Sequence, residues 1–394
     1  MAVTDISELR KKRQAKQTRN MIIKVFVVLL ICCMILAIVM TKDIWLPHLN
    51  GILSTTPSIV NESESADLAE GKFPLKVAGG MGYQLLSLDG NLALLDDSQF
   101  HVYSNDGKIM NEKKHTYANP ILCVSGSKAL IYDEGGREFS LESKYKNIYE
   151  KTADDVIYLA KLSKSDYAAV VTKSDKFLAM LKIYNPNGEP IFTYYSYDSR
   201  IINVTFNNNS SGCVVTVLTA EGGQLFSKMI RFDFTDTEPR WVSDAVACLA
   251  LDVQFTNDGG IMLVGDTMSA AFDQDGTLVD TYEYEDTITD YDSDGNITSV
   301  ITRNNDIRRT RLISFDGSQC DSPVVIDLDD DATKVYTDDK CAYVLCGNTI
   351  NAYTISGQRV GEIILEDDYE DLCKSGKYIY LMGYDSINRI DYGG

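Results

Sequence analysis

One acidic stretch of the chain has a spacing of side chains that suits calcium binding. It reads "DYDSDGNIT", and its candidate ligands are Asp290, Asp292, Asp294 and Asn296. Carboxylates at alternate positions of a tight loop converge, the glycine after them permits a sharp turn, and the next residue supplies a backbone carbonyl. Thr298 and Ile301 stand where such loops place further acidic ligands, so the pattern predicts a weak calcium site. The alternative is an Asp-rich turn without a metal.

A second candidate surface consists of three acidic segments at residues 283–290, 327–333 and 365–371. Their central carboxylates are Glu285, Asp286, Asp329, Asp330, Asp331, Glu366, Asp367 and Asp368. A basic segment, "RNNDIRRTR", contributes Arg308, Arg309 and Arg311. We expect these arginines to pair with the carboxylates or to form a small anion site. The hypothesis is an acidic arc that docks a basic partner, and the alternative is a solvated face with ordinary ion pairs.

Other catalytic or metal-binding patterns are weak. The chain has three histidines without metal-ligand spacing, and it lacks a nucleophile-elbow or phosphate-loop motif. A glycosidase needs only two well-placed carboxylates, which so acidic a chain can supply. The aromatic run "TYYSYD" at residues 193–198 either stacks sugars or packs between strands. The seven cysteines beyond residue 43 are expected to be buried thiols, with one disulfide as the alternative.

The charge of the chain limits its partners. The formal net charge is −20, although the first twenty residues are basic. The remainder is therefore more acidic than the total, and its field repels phosphate backbones. This argues against nucleic-acid binding.

Repeated phrases show which elements position these residues. "AFDQDGTLVDTY" at residues 271–282 has counterparts at 102, 183 and 352, each a small Gly turn between apolar runs. A second phrase of strand, polar turn and strand, such as "DVQFTNDGGIMLV", alternates with it. Together they describe a four-stranded unit that recurs about every 40 residues, the period of propeller blades. The pattern places "FDQDG" between the third and fourth strands of a blade.

Counting the units predicts an all-β propeller of eight blades. The last unit ends after two strands, whereas "FPLKVA" and "YQLLSLDG" at residues 73–90 are strands without a unit of their own. A closed ring would join the two ends and leave no open edge between the first and last blades. Seven blades are the alternative because the unit from residue 128 is weakly patterned, and a pair of β-sandwiches is a further alternative.

The N-terminal region predicts attachment to a membrane. Residues 21–40, "MIIKVFVVLLICCMILAIVM", form an apolar stretch long enough to span a bilayer as one helix, and no signal-peptidase site follows it. Basic residues before the span keep residues 1–20 in the cytoplasm. Residues 41–72 are polar and predict a flexible stalk. We therefore expect residues 73–394 to form an extracytoplasmic propeller at the cell membrane.

The phrase "FTNDGGIMLV" resembles the strand-turn-strand signature of WD40-like propeller repeats, although the Gly-His and Trp-Asp pairs of those repeats are missing. With its basic tail, anchor, stalk and degenerate propeller, the whole chain resembles an uncharacterised family of bacterial membrane-anchored propeller proteins. The resemblance implies a location in the cell envelope and transfers no catalytic residue.

Two functions follow as expectations. The first is an anchored scaffold without catalysis that binds a protein or an envelope polymer. The second is a hydrolase or lyase acting on glycans. Apart from the possible calcium, no cofactor is expected. Convergent carboxylates in a central funnel would favour the second function, and an aliphatic channel would favour the first.

Overall fold

The computed structural model describes residues 64–65, 72–77, 82–329, 331–338 and 340–392. All regular structure in these segments is β-strand, and none of them contains a helix long and apolar enough to cross a bilayer. The predicted tail, residues 1–20, and the predicted span, residues 21–40, lie outside the described residues.

The strands form eight sheets arranged as blades, and all pairings except that of β1 are antiparallel. The two N-terminal strands are β1 (Glu64–Ser65) and β2 (Leu75–Lys76). Blades 1 and 2 contain β3 (Gln84–Leu88), β4 (Asn91–Leu95), β5 (Gln99–Tyr103), β6 (Ile109–Lys114), β7 (Pro120–Ser125), β8 (Lys128–Asp133), β9 (Glu138–Ser143) and β10 (Asn147–Thr152). Blades 3 and 4 contain β11 (Ile157–Leu162), β12 (Ala168–Thr172), β13 (Ala179–Tyr184), β14 (Pro190–Ser196), β15 (Arg200–Phe206), β16 (Gly212–Glu221), β17 (Gln224–Asp233) and β18 (Trp241–Val242).

The second half of the chain continues the same pattern. Blades 5 and 6 contain β19 (Ala250–Phe255), β20 (Ile261–Gly265), β21 (Met268–Phe272), β22 (Leu278–Glu283), β23 (Thr287–Ser293), β24 (Ile297–Asn304), β25 (Arg309–Asp316) and β26 (Val324–Leu328). Blades 7 and 8 contain β27 (Ala332–Thr337), β28 (Cys341–Cys346), β29 (Thr349–Thr354), β30 (Arg359–Ile364), β31 (Asp371–Ser375), β32 (Tyr378–Met382) and β33 (Ser386–Asp391). The eight-bladed prediction is confirmed, and the seven-bladed and β-sandwich alternatives are wrong.

Burial explains why the second strand of a blade carries the strongest sequence signal. Strands β12, β20 and β28 are buried along their whole length, because both faces of each strand pack against neighbouring blades. They therefore read as continuous apolar runs. The outer strand β22 alternates between exposed and half-buried residues, as expected for a strand with one solvated face.

The core is divided among the contacts between blades. Each pair of neighbouring blades, including blades 8 and 1, shares a cluster of buried apolar side chains. Between blades 3 and 4, for example, Val171 and Leu181 pack with Val215 and Phe232. A ring of this kind has no single centre, and each interface contributes separately to stability.

The two ends of the chain close the ring, but only one of the two N-terminal strands joins the last blade, which has three C-terminal strands rather than the predicted two. Strand β2 pairs antiparallel with β33 as the outer strand of blade 8, whereas β3 is the first strand of blade 1. Arg389 fixes the junction, since its buried guanidinium lies 4.9 Å from the ring of Phe73 and 4.3 Å from the ring of Tyr378. It also donates a hydrogen bond to the carbonyl of Asn105 in blade 1.

The "FDQDG" turn joins the third and fourth strands of blade 5, as predicted. Thr277 N donates to Asp273 Oδ1 at 2.9 Å, and Gly276 N donates to Asp273 O at 3.1 Å. Gly276 has a φ of 80°, and a Cβ there would lie 2.5 Å from the indole of Trp241. Glycine is therefore required by both conformation and space.

One strand was not predicted. Strand β1 lies in the segment predicted as a flexible stalk, yet it pairs in parallel with β30 and gives blade 7 a fifth strand. Only the backbone of two residues is paired, so no hydrophobic pattern in the sequence marks it.

Candidate functional site

The two ends of the ring differ in the loops that they carry. One end, called here the turn face, carries the turns between strands 1 and 2 and between strands 3 and 4 of each blade. The opposite end, called the connection face, carries the turns between strands 2 and 3 and the connections from blade to blade. The first strand of each blade lies innermost, around the central channel.

The predicted calcium ligands do not converge. Strand β23 continues to Ser293, so Asp290 and Asp292 lie on a regular strand rather than in the turn. Their carboxylates bond to the neighbouring blade: Asp290 Oδ2 accepts from Val335 N at 2.8 Å, and Asp292 Oδ2 accepts from Thr337 N at 2.6 Å. The two aspartates thus join blades 6 and 7 at the inner strands.

The rest of the predicted loop is also engaged. Asp294 Oδ1 accepts from the backbone amides of Asn296 and Ile297 at 2.8 and 2.9 Å. The Asn296 carbonyl, predicted as a ligand, accepts from Gly317 N at 2.6 Å. Within the part of the chain that the structure describes, no three His, Cys, Asp or Glu side chains are grouped to hold a metal ion. Calcium binding thus has no geometric support here and stays a prediction.

Burial changes the acidity of these inner-strand carboxylates. It raises the pKa of Asp292 to about 7, opposed by the hydrogen bonds from Thr337 N and Ser293 N and reinforced by the nearby Asp290 and Asp252. Burial also raises the pKa of Asp290, although Lys334 Nζ lies 3.4 Å from its Oδ1. These carboxylates tie blades together, and their charge is costly to maintain.

The predicted acidic arc is divided by the arginines. Arg311 Nη1 lies 2.7 Å from Glu285 Oε2, and Arg309 Nη2 lies 3.1 Å from the same oxygen. Hydrogen bonding from Arg311 is the main cause that lowers the pKa of Glu285. The side chain of Asp286 is 1% exposed and receives Arg309 Nη2 at 2.8 Å. Two of the three predicted arginines therefore pair with the arc.

Asp286 and Asp331 show how this pairing works. Burial opposes ionisation of Asp286, but hydrogen bonds from Asn304 and Arg309 outweigh burial and lower its pKa. Asp331 pairs with Arg303, which lowers the pKa of that carboxyl. Both carboxylates are neutralised from within the chain.

The other members of the arc remain exposed. No ion pair within the described residues involves Arg308 or these four carboxylates: Asp329, Glu366, Asp367 and Asp368. Asp330 lies outside the described residues. The open part of the arc is thus smaller than predicted, and docking of a basic partner stays a prediction.

The aromatic run on β14 serves two purposes. Tyr194 packs between blades 3 and 4, with its ring 4.6 Å from that of Phe232. Tyr195 on β14 and Tyr197 just after it are exposed and contact Phe177, each at 4.7 Å between ring centroids. The packing prediction fits the first tyrosine, and the other two form a small exposed aromatic cluster.

A cavity of about 360 Å³ opens on the turn face, and the sequence did not reveal it. Five blades contribute to it, from blade 2 to blade 6, through the ends of their first strands. Its polar side chains include Lys161, Lys164, Asn207, Asn208, Gln254, Asn257 and Asp294. Because these residues are spread over more than 130 positions, no local motif joins them. Only an alignment of the turns between strands 1 and 2 would have placed them together.

Several cysteines behave as small buried hydrophobes. Cys213, Cys248, Cys320 and Cys373 are free and buried, which confirms the thiol prediction for them. Burial raises the pKa of each of these thiols to about 12. They are therefore poor nucleophiles.

Solved structures support the fold. The chain is similar to Saccharomyces cerevisiae Sqt1, with a TM-score of 0.63, 10% identity, and coverage of 84% of this chain and 100% of that one. It is similar to the C-terminal WD40 domain of Sif2 with a TM-score of 0.60, 13% identity, and coverage of 84% and 100%. BamB from Moraxella catarrhalis gives a TM-score of 0.53 at 12% identity, with coverage of 80% and 99%. Such low identities show the fold alone.

A search of curated proteins found no match. A family model does match, over residues 75–391, and it spans every blade of the ring. The chain therefore belongs to the family of unknown function DUF5711, whose matched region is an eight-bladed WD40-like propeller.

Proposed function

We propose that this protein is a membrane-anchored scaffold whose extracytoplasmic propeller binds a protein or an envelope polymer. The observation that carries the proposal is the open cavity on the turn face, which five blades build from amide, hydroxyl and lysine side chains. Propellers commonly use such a rigid ring to present a binding surface. Anchoring rests on the apolar residues 21–40 and on the basic residues before them.

The glycan hydrolase is the weaker candidate. A glycosidase needs two carboxylates that face one substrate, one of them with a raised pKa. Asp290 and Asp292 have raised pKa values, but their oxygens accept backbone amides of blade 7. Among the described residues, Asp294 is the carboxylate that lines the cavity, and it caps its own turn. This arrangement favours binding over bond cleavage.

Proximity labelling in the native cell tests the proposal. A peroxidase is fused after residue 394, and the matched control carries the same peroxidase directly after residue 72. We expect both fusions to label extracytoplasmic proteins or polymers, and only the full chain to enrich a specific partner. Labelling of cytoplasmic proteins would refute the topology. Identical products from both fusions would show that the propeller recruits nothing.

A further inference from the structure

We propose that the cavity on the turn face binds an anionic, hydroxyl-rich chain whose anionic group lies against Lys161 and Lys164. This inference rests on the proposed binding function and specifies the ligand of the same site.

Both lysines line the cavity and lack acidic partners. Neither has an ion pair within the described residues, although the chain carries a net charge of −20. Two lysines on the adjacent blade 2 are compensated instead: Lys128 lies 3.5 Å from Asp166, and Lys144 lies 2.8 Å from Asp89. Two uncompensated ammonium groups on one side of a cavity attract a phosphate or a carboxylate.

The carboxylates near the cavity are already hydrogen-bonded. Asp294 lies on blade 6, away from the lysines on blade 3, and its Oδ1 accepts two backbone amides. Asp252, on β19, accepts from Asn203 Nδ2 at 3.0 Å and from Gln254 Nε2 at 2.9 Å. The positive side of the cavity is thus blade 3.

The remaining lining is neutral and suits hydroxyl groups. Asn208 is exposed and makes no side-chain hydrogen bond within the described residues. Gln254 donates its amide to Asp252, which leaves its carbonyl oxygen to accept a hydroxyl. The rings of Phe206 and Phe255 add apolar surface for the carbon skeleton of a sugar or polyol. A cavity of about 360 Å³ holds a short segment, and its open mouth lets the chain continue into solvent.

Lysine ammonium groups bind both phosphates and carboxylates, so the test uses a probe of each kind. Full-length protein in detergent micelles is titrated with short polyglycerol phosphate, with oligogalacturonate and with neutral dextran oligomers, and heat is measured by calorimetry. We expect saturable binding of an anionic probe, weakened as salt rises, and no binding of dextran. Whichever anionic probe binds identifies the anionic group. Binding of dextran as tight as that of both anionic probes would overturn the proposal.

Substitutions locate the site. The double variant Lys161→Gln with Lys164→Gln should weaken binding about tenfold, because two charge-assisted contacts are lost. Asn208→Asp should weaken it about fivefold by adding a negative charge without removing a described hydrogen bond. The matched control, Lys146→Gln with Lys176→Gln, neutralises two exposed lysines outside the cavity and should change affinity less than twofold.

Two results would refute the inference. One is the absence of saturable binding with either anionic probe. The other is unchanged affinity in the double lysine variant, with circular dichroism showing that it is folded. Neither result touches the proposed function, because the proximity-labelling contrast between the full chain and its control is independent of these probes.

Discussion

Two groups of carboxylates on blade 6 lie a few residues apart and respond to their surroundings in opposite ways. Glu285 and Asp286, on the connection face, are held in the charged form by Arg309 and Arg311, which lower their pKa values. Asp290 and Asp292, on the inner strand, are buried beside another blade, which raises theirs. The same residue type therefore stabilises the ring in one place through its charge and in the other despite its charge.

The difference shows why acidic composition is a poor guide to function. Cations of the chain neutralise part of the acidic face, whereas Lys161 and Lys164 of the turn-face cavity have no carboxylate partner within the described residues. A net charge of −20 thus coexists with a positive side of one cavity. The following variants test the contrast within blade 6.

The largest effect is expected from Arg309→Met. Removing this guanidinium leaves the nearly buried Asp286 with Asn304 as its one side-chain donor among the described residues, and the free energy of unfolding should fall by about 3 kcal/mol. Urea unfolding of the full chain in micelles, followed by circular dichroism, measures it. Arg308→Met is the control, since Arg308 is exposed and has no described ion pair. Equal stability of the two variants would contradict the role of the pair.

A smaller effect of opposite sign is expected from Asp292→Asn. The amide oxygen can still accept from Thr337 N, while the buried charge is removed. The pKa of Asp292 is about 7 in the folded protein and about 3.9 in the unfolded chain. The protonated carboxyl therefore stabilises the fold fully below about pH 4, and this contribution is lost as the pH rises through 7. The variant should therefore match the native protein at pH 4 and exceed it by about 1 to 3 kcal/mol at pH 8.

Urea unfolding at both pH values measures this difference, with the exposed Asp306→Asn as the control. Among the described residues, the titratable groups that interact with Asp292 are Asp290, Asp252, Tyr291, Tyr336 and Cys373. The prediction would be contradicted if the variant were no more stable than the native protein at pH 8.

The smallest effect is expected from Asp331→Asn. This carboxylate is exposed, and its pair with Arg303 is screened by solvent, so the melting temperature should not change measurably. Differential scanning calorimetry at pH 7 is sufficient. A fall of several degrees would show that surface pairs of the acidic arc contribute to the ring as Arg309 does.

The sequence predicted the ring better than the sites. Turn residues such as Asp273 and Gly276, and buried second strands such as β20, carry local patterns that identify each blade. The partners of Asp290 and Asp292 are not local, because they lie on β27, some 45 residues away. Alternating aspartates have the same spacing in a calcium loop and on one face of a strand, so spacing alone did not separate the two.

The fifth strand of blade 7 has a mechanical consequence. Strand β1 holds the chain on blade 7, and the closing strand β2 lies beyond it on blade 8. A force that pulls on the chain before Glu64 therefore acts first on the β1–β30 pair at the edge of blade 7. It acts only afterwards on the β2–β33 pair that closes the ring. Tension applied there must separate β1 from β30 before it can separate β2 from β33 and open the ring.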